Sequence, residues 1–202
     1  MLLREGDIFK YILRLFFMNL ENLNNKIKNC NNCILHRKRK NTVPGEGGIN
    51  AKVIFIGEAP GKKEDETGRP FVGRGGKLLR ELIKEINLDE KDVFITSILK
   101  CRPPENRNPK KEEIIACEFY LWKQIEIIKP KLICTLGNFS TKLILEKYGF
   151  EFQGITKSHG KIFNVDKNKI MPLFHPAYIL RGKPSRLPLM KKDFKRIKKL
   201  IL

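Results

Sequence analysis

Four of the five cysteines are spaced like ligands. Cys30 and Cys33 form a Cys-x-x-Cys pair, Cys101 follows far along the chain, and Cys117 lies sixteen residues beyond it. Three chemistries compete for such a set. Disulfides belong to oxidising compartments, and nothing marks this chain as exported. A thioredoxin-like redox pair opens a helix after a strand, whereas Cys30-Asn-Asn-Cys33 precedes the first clear strand. A four-thiolate site remains, for zinc or for an iron–sulfur cluster. Zinc sites usually show two short pairs. One pair joined by two solitary cysteines leans towards a cluster and leaves zinc open. Cys101 is followed by Arg102-Pro103-Pro104, which stiffens the backbone beside the ligand and denies it a helix. Cys134 lies inside the apolar run Lys131-Leu-Ile-Cys-Thr-Leu136 and reads as a small core residue.

A second set of residues could do acid–base and oxyanion chemistry. Gly57-Glu58-Ala59-Pro60-Gly61 is a tight turn offering backbone amides with a carboxylate among them. It is not a P-loop, because Gly61-Lys62 is followed by Lys63 rather than Ser or Thr. His175 stands before Pro176, with Tyr178 and Arg181 close behind. Phe71, between Pro70 and Gly73 in a loop rich in glycine and charge, either plugs the core or offers a face to a flat ligand.

The elements that must position these residues alternate. Lys52–Gly57, Asp92–Ser97, Lys131–Leu136 and Ile170–Phe174 are apolar runs expected to be strands covered on both faces. Helices are expected over Leu20–Asn29, Gly75–Ile86, Phe139–Lys147 and Pro188–Leu202. Another should start at Asn108-Pro109, with Asn as cap and Pro in the first position, and end before Pro130. A hairpin is expected around His159–Lys169. This order predicts a three-layer α/β/α sandwich with a mostly parallel central sheet of about four strands. Ligands of such sheets bind beyond the carboxyl ends of the strands, where the Glu58 turn, Ser97 and His175 all fall. Residues 1–17 read as an N-terminal extension ahead of a second initiator at Met18, with one domain over residues 18–202.

Composition limits the partners. Forty-one basic and 22 acidic side chains give 41 − 22 = +19, a balance that points to a polyanion, nucleic acid being the commonest. The excess concentrates in Arg37–Lys40 and in the closing segment from Arg181, where Asp193 is the lone acid. No apolar run approaches the ~20 residues of a membrane span, and Ile8–Met18 is broken by Lys10 and Arg14 with no cleavage site following. A cytoplasmic protein with no membrane role is expected.

Gly57-Glu-Ala-Pro-Gly61, Thr67-Gly-Arg-Pro-Phe-Val-Gly73, Lys100-Cys-Arg-Pro-Pro104 and His175-Pro-Ala-Tyr178 together resemble the thermostable, iron–sulfur uracil-DNA glycosylases known as family four. The resemblance runs from about Cys30 to Arg181. It implies hydrolysis of the N-glycosidic bond of uracil in single- or double-stranded DNA, after the nucleotide is flipped into a pocket. It also implies a [4Fe-4S] cluster, with zinc as the alternative, on Cys30, Cys33, Cys101 and Cys117. On that reading Glu58 and His175 are the catalytic pair, and Gly57, Glu58, Ala59, Phe71, Ser97 and His175 bind the base. Arg69, Arg74, Leu180, Arg181 and Lys183 are expected to meet DNA, with Leu180 and Arg181 as the wedge that fills the vacated stack. Ser97 departs from the pattern, since these enzymes usually carry Asn there, whose amide pairs with both O4 and N3–H of uracil. A hydroxyl is shorter and cannot do both in the bidentate way, which leaves base selection weaker, water-assisted, or shifted towards another deaminated base such as hypoxanthine. A non-catalytic, metal-stabilised nucleic-acid-binding module is the alternative from another class. A monomer is expected, and a sliding clamp as partner is not readable from the sequence.

Overall fold

The structure is a computed structural model that describes residues 19–165 and 168–202. The expected N-terminal extension therefore lies outside the described residues. Asn19 opens the first helix among the described residues, α1 (Leu20–Lys28), by accepting the Asn22 amide at 2.8 Å, and a 3-10 turn over Ile34–Arg37 follows. The succession then runs β1 (Glu46–Gly47), β2 (Val53–Gly57), α2 (Lys62–Thr67), α3 (Arg74–Glu85), β3 (Val93–Ser97), α4 (Lys111–Ile128), β4 (Leu132–Leu136) and α5 (Asn138–Lys147). It closes with α6 (Ile155–Ser158), β5 (Phe163–Val165), β6 (Asn168–Leu173), α7 (Pro176–Leu180) and α8 (Leu187–Ile201).

Among the described residues, one sheet holds six strands in the order β1-β3-β2-β4-β6-β5. The four inner strands are parallel, as their unbroken apolar runs require, and these are the four read from the sequence. The two added strands pair antiparallel at the edges, Glu46 opposite Ile95 and Phe163 opposite Ile170. Side chains alternate across the pleat. Ile54, Ile56, Phe94, Ile133 and Ile170 face a core shared with Leu23, Ile27, Leu121, Ile125 and Ile144 of α1, α4 and α5. Val53, Phe55, Ile95, Cys134, Met171 and Leu173 face another, shared with Leu79 and Leu82 of α3 and Phe194 and Ile197 of α8. Helices thus cover both faces, and the sandwich has the three layers expected. Cys134 is fully buried in the second core.

One boundary differs from expectation. The helix read as starting at Asn108-Pro109 begins at Lys111, with Lys110 as its cap. Glu113 decides this: its carboxylate accepts the Lys110 amide at 2.9 Å while Arg107 Nη1 holds it at 2.9 Å. A charge-assisted cap from inside the first turn outweighs the Asn-Pro signal two residues earlier.

Candidate active site

All four parallel strands deliver their carboxyl ends to one rim. Gly57 ends β2 in register with Ser97 at the end of β3. The segments that leave them are laced together, Ile98 N–H donating to Gly57 O at 3.0 Å and Leu99 N–H to Glu58 O at 3.1 Å. Beyond β4, the Gly137 amide donates to Leu173 O at 2.9 Å, bringing the end of β6 and hence His175 to the same rim. An open cavity of about 590 Å³ lies there, lined among others by Glu58, Ala59, Phe71, Ser97 and His175. Gly57 cannot be otherwise. A Cβ on it would fall 2.6 Å from Phe71 Cζ and 3.1 Å from Ser97 Oγ, so the bare backbone is what lets the Phe71 ring and the Ser97 hydroxyl approach each other.

His175 has a defined tautomer. It caps α7, its Nδ1 accepting the Ala177 amide hydrogen at 3.1 Å, so in the neutral ring Nε2 carries the proton. Burial and the Arg181 cation push the imidazole down to about 4, against a smaller upward pull from Glu64. At neutral pH it is an uncharged donor through Nε2. Its ring lies 5.9 Å from that of Phe71 at 29°. Glu58 is half-buried, and its burial raises the carboxyl above its ordinary value while Arg181 acts against that shift.

Phe71 is held in an unusual backbone conformation, φ +52°, which a bulky residue adopts only when its surroundings impose it. Glu64 imposes part of it. One carboxylate oxygen accepts the amides of Val72 and Gly73 at 2.9 and 2.8 Å, and the other accepts that of Gly61 at 3.2 Å. One side chain on α2 thus stitches the Glu58 turn to the Phe71 loop. The ring is nearly buried, packs in the second core and still lines the cavity, so both readings of this residue apply.

The four spaced cysteines also come together. Cys30, Cys33, Cys101 and Cys117 line one small apolar cavity with Ile27, Leu35 and Leu99. Arg39 Nη1 donates to Cys101 Sγ at 3.2 Å and the Lys100 amide to Cys117 Sγ at 3.3 Å. Among the described residues, no three His, Cys, Asp or Glu side chains form a site for a single metal ion. Lys100 links this cavity to the rim. Its side chain is only 1% exposed, and its Nζ donates to Ser97 O at 2.7 Å, Thr96 Oγ1 at 2.6 Å and Gln124 Oε1 at 2.7 Å.

With this geometry, the sequence matches the family model described as Uracil DNA glycosylase superfamily over residues 44–199. The chain belongs to the uracil-DNA glycosylase superfamily. It is 48% identical to the type-4 uracil-DNA glycosylase of Sulfurisphaera tokodaii, over 91% of this chain and 85% of that one. The type-4 enzyme of Archaeoglobus fulgidus is 42% identical, covering 90% and 92%, and that of Thermotoga maritima 42%, covering 83% and 86%. For a superfamily member the rim is where the candidates from sequence should meet, and most do. Glu58, Ala59, Phe71, Ser97 and His175 share the cavity wall, with Arg74, Leu180 and Arg181 also on it. Leu180 is 50% exposed, an apolar side chain presented to solvent at the mouth. Gly57, Arg69 and Lys183 are not on the wall. Arg69 is paired with Glu46, its Nε 2.9 Å from Oε2. Sequence reasoning missed Glu64, Arg80 and Arg107. Glu64 had a signal, an acid at the third helical position after the turn glycine; the two arginines had none.

Proposed function

We propose that the chain removes uracil from DNA by hydrolysing the N-glycosidic bond, leaving an abasic site. The observation that carries this reading is the neutral His175, its Nε2 hydrogen free of the helix cap, sharing one cavity with the Glu58 carboxylate and the Phe71 ring. Uracil in a helix must leave the stack before chemistry. In the cavity the Phe71 face supports the ring, and Gly57, bare of side chain, lets that ring and the Ser97 hydroxyl take their places. The bond between C1′ and N1 breaks with its electron pair departing on uracil. The Nε2–H of His175 and the amides of the Glu58–Ala59 turn stabilise the negative charge at O2, each donor worth about 3–4 kcal/mol at such a site. A neutral donor suits this role, since it gives no proton to a leaving group that departs as an anion. Glu58, in its carboxylate form, orients water towards C1′ and accepts its proton as the new C–O bond forms; the uracil anion then takes a proton from solvent.

The donor set at the second cavity fits a [4Fe-4S] cluster held by Cys30, Cys33, Cys101 and Cys117. Four soft thiol ligands in apolar surroundings, with N–H donors at two sulfurs, are what such a group uses. When bound it supplies a cross-link between distant segments. Lys100, Thr96 and Gln124 carry that rigidity to Ser97 at the rim. The basic surface, Arg74 and Arg181 nearest the cavity, holds phosphates without reading sequence. Action as a monomer in the cytoplasm belongs to the same proposal; among the described residues, no helix is long and apolar enough to cross a membrane.

The test is an excision assay on oligonucleotides carrying one uracil or one hypoxanthine, single- and double-stranded. Free uracil and an alkali-labile abasic product are expected. Binding without base release would leave a nucleic-acid-binding module instead, and faster release of hypoxanthine would replace uracil as the substrate.

A further inference from the structure

The loop that carries Phe71 is gripped from two sides. Glu64 takes its amides, as described. Its carbonyls go to Arg80, one turn and a half into α3: Nη2 donates to Pro70 O at 2.9 Å and Nε to Phe71 O at 3.2 Å. The same guanidinium is ion-paired with Glu46, which also receives the Nε and Nη2 of Arg69 at 2.9 and 3.1 Å. Glu46 itself stands on β1, the two-residue edge strand whose register against Ile95 and Phe94 sets where the carboxylate points. Space is tight on the far side as well. A Cβ on Gly76 would come within 1.9 Å of Phe71 O, so the helix start closes directly onto the carbonyl that Arg80 holds.

The geometry points to Glu46 and Arg80 as positioning residues for the base-stacking face: Glu46 orients the Arg80 guanidinium, Arg80 holds the Pro70 and Phe71 carbonyls, and together they keep the Phe71 ring against Gly57 and beside His175. This rests on the uracil reading above and extends it to residues that touch neither base nor DNA. A planar fork is needed, because three acceptors lie around it and a lysine ammonium cannot span them in that geometry. The left-handed Phe71 backbone needs such a grip, since in an ungripped loop the residue relaxes to φ below zero and carries the ring away.

The experiment compares the parent with Arg80→Gln, Glu46→Gln, Phe71→Ala and the double variant Phe71→Ala/Arg80→Gln. Readouts are single-turnover excision of uracil, inhibition by free uracil, affinity for undamaged DNA and the melting temperature. Arg80→Gln should slow excision and weaken inhibition by free uracil about tenfold each, the scale of one base–aromatic stack, with Glu46→Gln moving both in the same direction by less. Affinity for undamaged DNA should stay at the parent's value, which separates a displaced ring from a loss of basic surface. In the double variant, Arg80→Gln should add little to Phe71→Ala, because its effect runs through the ring. Additive losses, or parental excision and uracil inhibition in Arg80→Gln, would overturn the relay while leaving the glycosylase reading intact. A parent that releases no uracil overturns that reading and the relay with it.

Discussion

His175 accepts the Ala177 amide hydrogen through Nδ1 at 3.1 Å, and this single bond assigns the ring two tasks: one nitrogen caps a helix, and the other is left as a donor on a ring that lines the cavity. The tasks can be separated. Asparagine is as good a cap as any residue but does not place an N–H where Nε2 stands. His175→Asn should therefore keep the parental melting temperature within a few degrees while lowering single-turnover excision by about 10²–10³-fold, the loss expected for one oxyanion donor. His175→Ala should lose both. Equal rates for His175→Asn and the parent would remove the imidazole from the chemistry.

The two titrating groups of the site move apart, and the sign of each sets a pH profile. Glu58 lies above its ordinary value through burial, and His175 lies at about 4 for the same main reason. As pH falls, Glu58 is the first to gain a proton, and the carboxylate proposed to orient water is lost while the imidazole is still neutral. The acid limb of excision should therefore report Glu58. In Glu58→Gln, excision should be slow and the limb should shift down towards pH 4. An unshifted limb would assign it elsewhere.

The same imidazole couples pH to stability. Folded His175 takes its proton near 4, whereas its reference value is 6.5. Between those values the unfolded chain binds more protons, so stability contributed by the neutral ring is full above 6.5 and is lost as pH falls towards 4. Denaturant melts of the parent should show this decline, and His175→Asn should show less of it.

Much of the frame was legible because it obeys simple periodicities. Ile54, Ile133 and Ile170 alternate with Phe55, Cys134 and Met171 onto opposite cores, and runs so apolar can only be strands covered on both sides. The edge strands were not legible, since two residues at Glu46–Gly47 and three at Phe163–Val165 make no period. The rim residues Glu58, Ser97 and His175 followed from strand ends. Arg80 did not, because on an amphipathic helix it reads as a solvent-face arginine, and its partners are carbonyls of a loop whose left-handed phenylalanine has no sequence signature. Arg107 was hidden likewise, its partner Glu113 lying in the helix whose start was misplaced by the Asn108-Pro109 signal.

Cys101 and Cys117 join the Cys30–Cys33 pair across long stretches of chain, so a group bound to all four should contribute mainly to stability. Cys101→Ser should lower bound iron and sulfide and bleach the visible absorbance. It should also lower the melting temperature by roughly 10 °C or more, on a scale of about 2–4 °C per kcal/mol for a chain of this size. One zinc per chain and no sulfide in the parent would replace the cluster with a zinc site.

On the proposed function, Ser97 sets how strictly the base is chosen. Its hydroxyl stands 3.1 Å from where a Gly57 side chain would begin, at the floor of the cavity beside the Phe71 ring, while its carbonyl is fixed by Lys100 at 2.7 Å. One hydroxyl can donate to a carbonyl or accept from an N–H, and the remaining polar atom of the base edge is left to water. An amide at this position has both functions on one planar group. Ser97→Asn should therefore raise the ratio of kcat/KM for uracil over hypoxanthine, by about tenfold if one buried hydrogen bond worth roughly 1.4 kcal/mol is gained. The gain should appear in double-stranded and single-stranded substrates alike, because it acts on the flipped base and not on the flipping. A ratio that falls in Ser97→Asn would mean that the longer side chain crowds Gly57 and Phe71, and that the serine is there for room rather than for its hydroxyl.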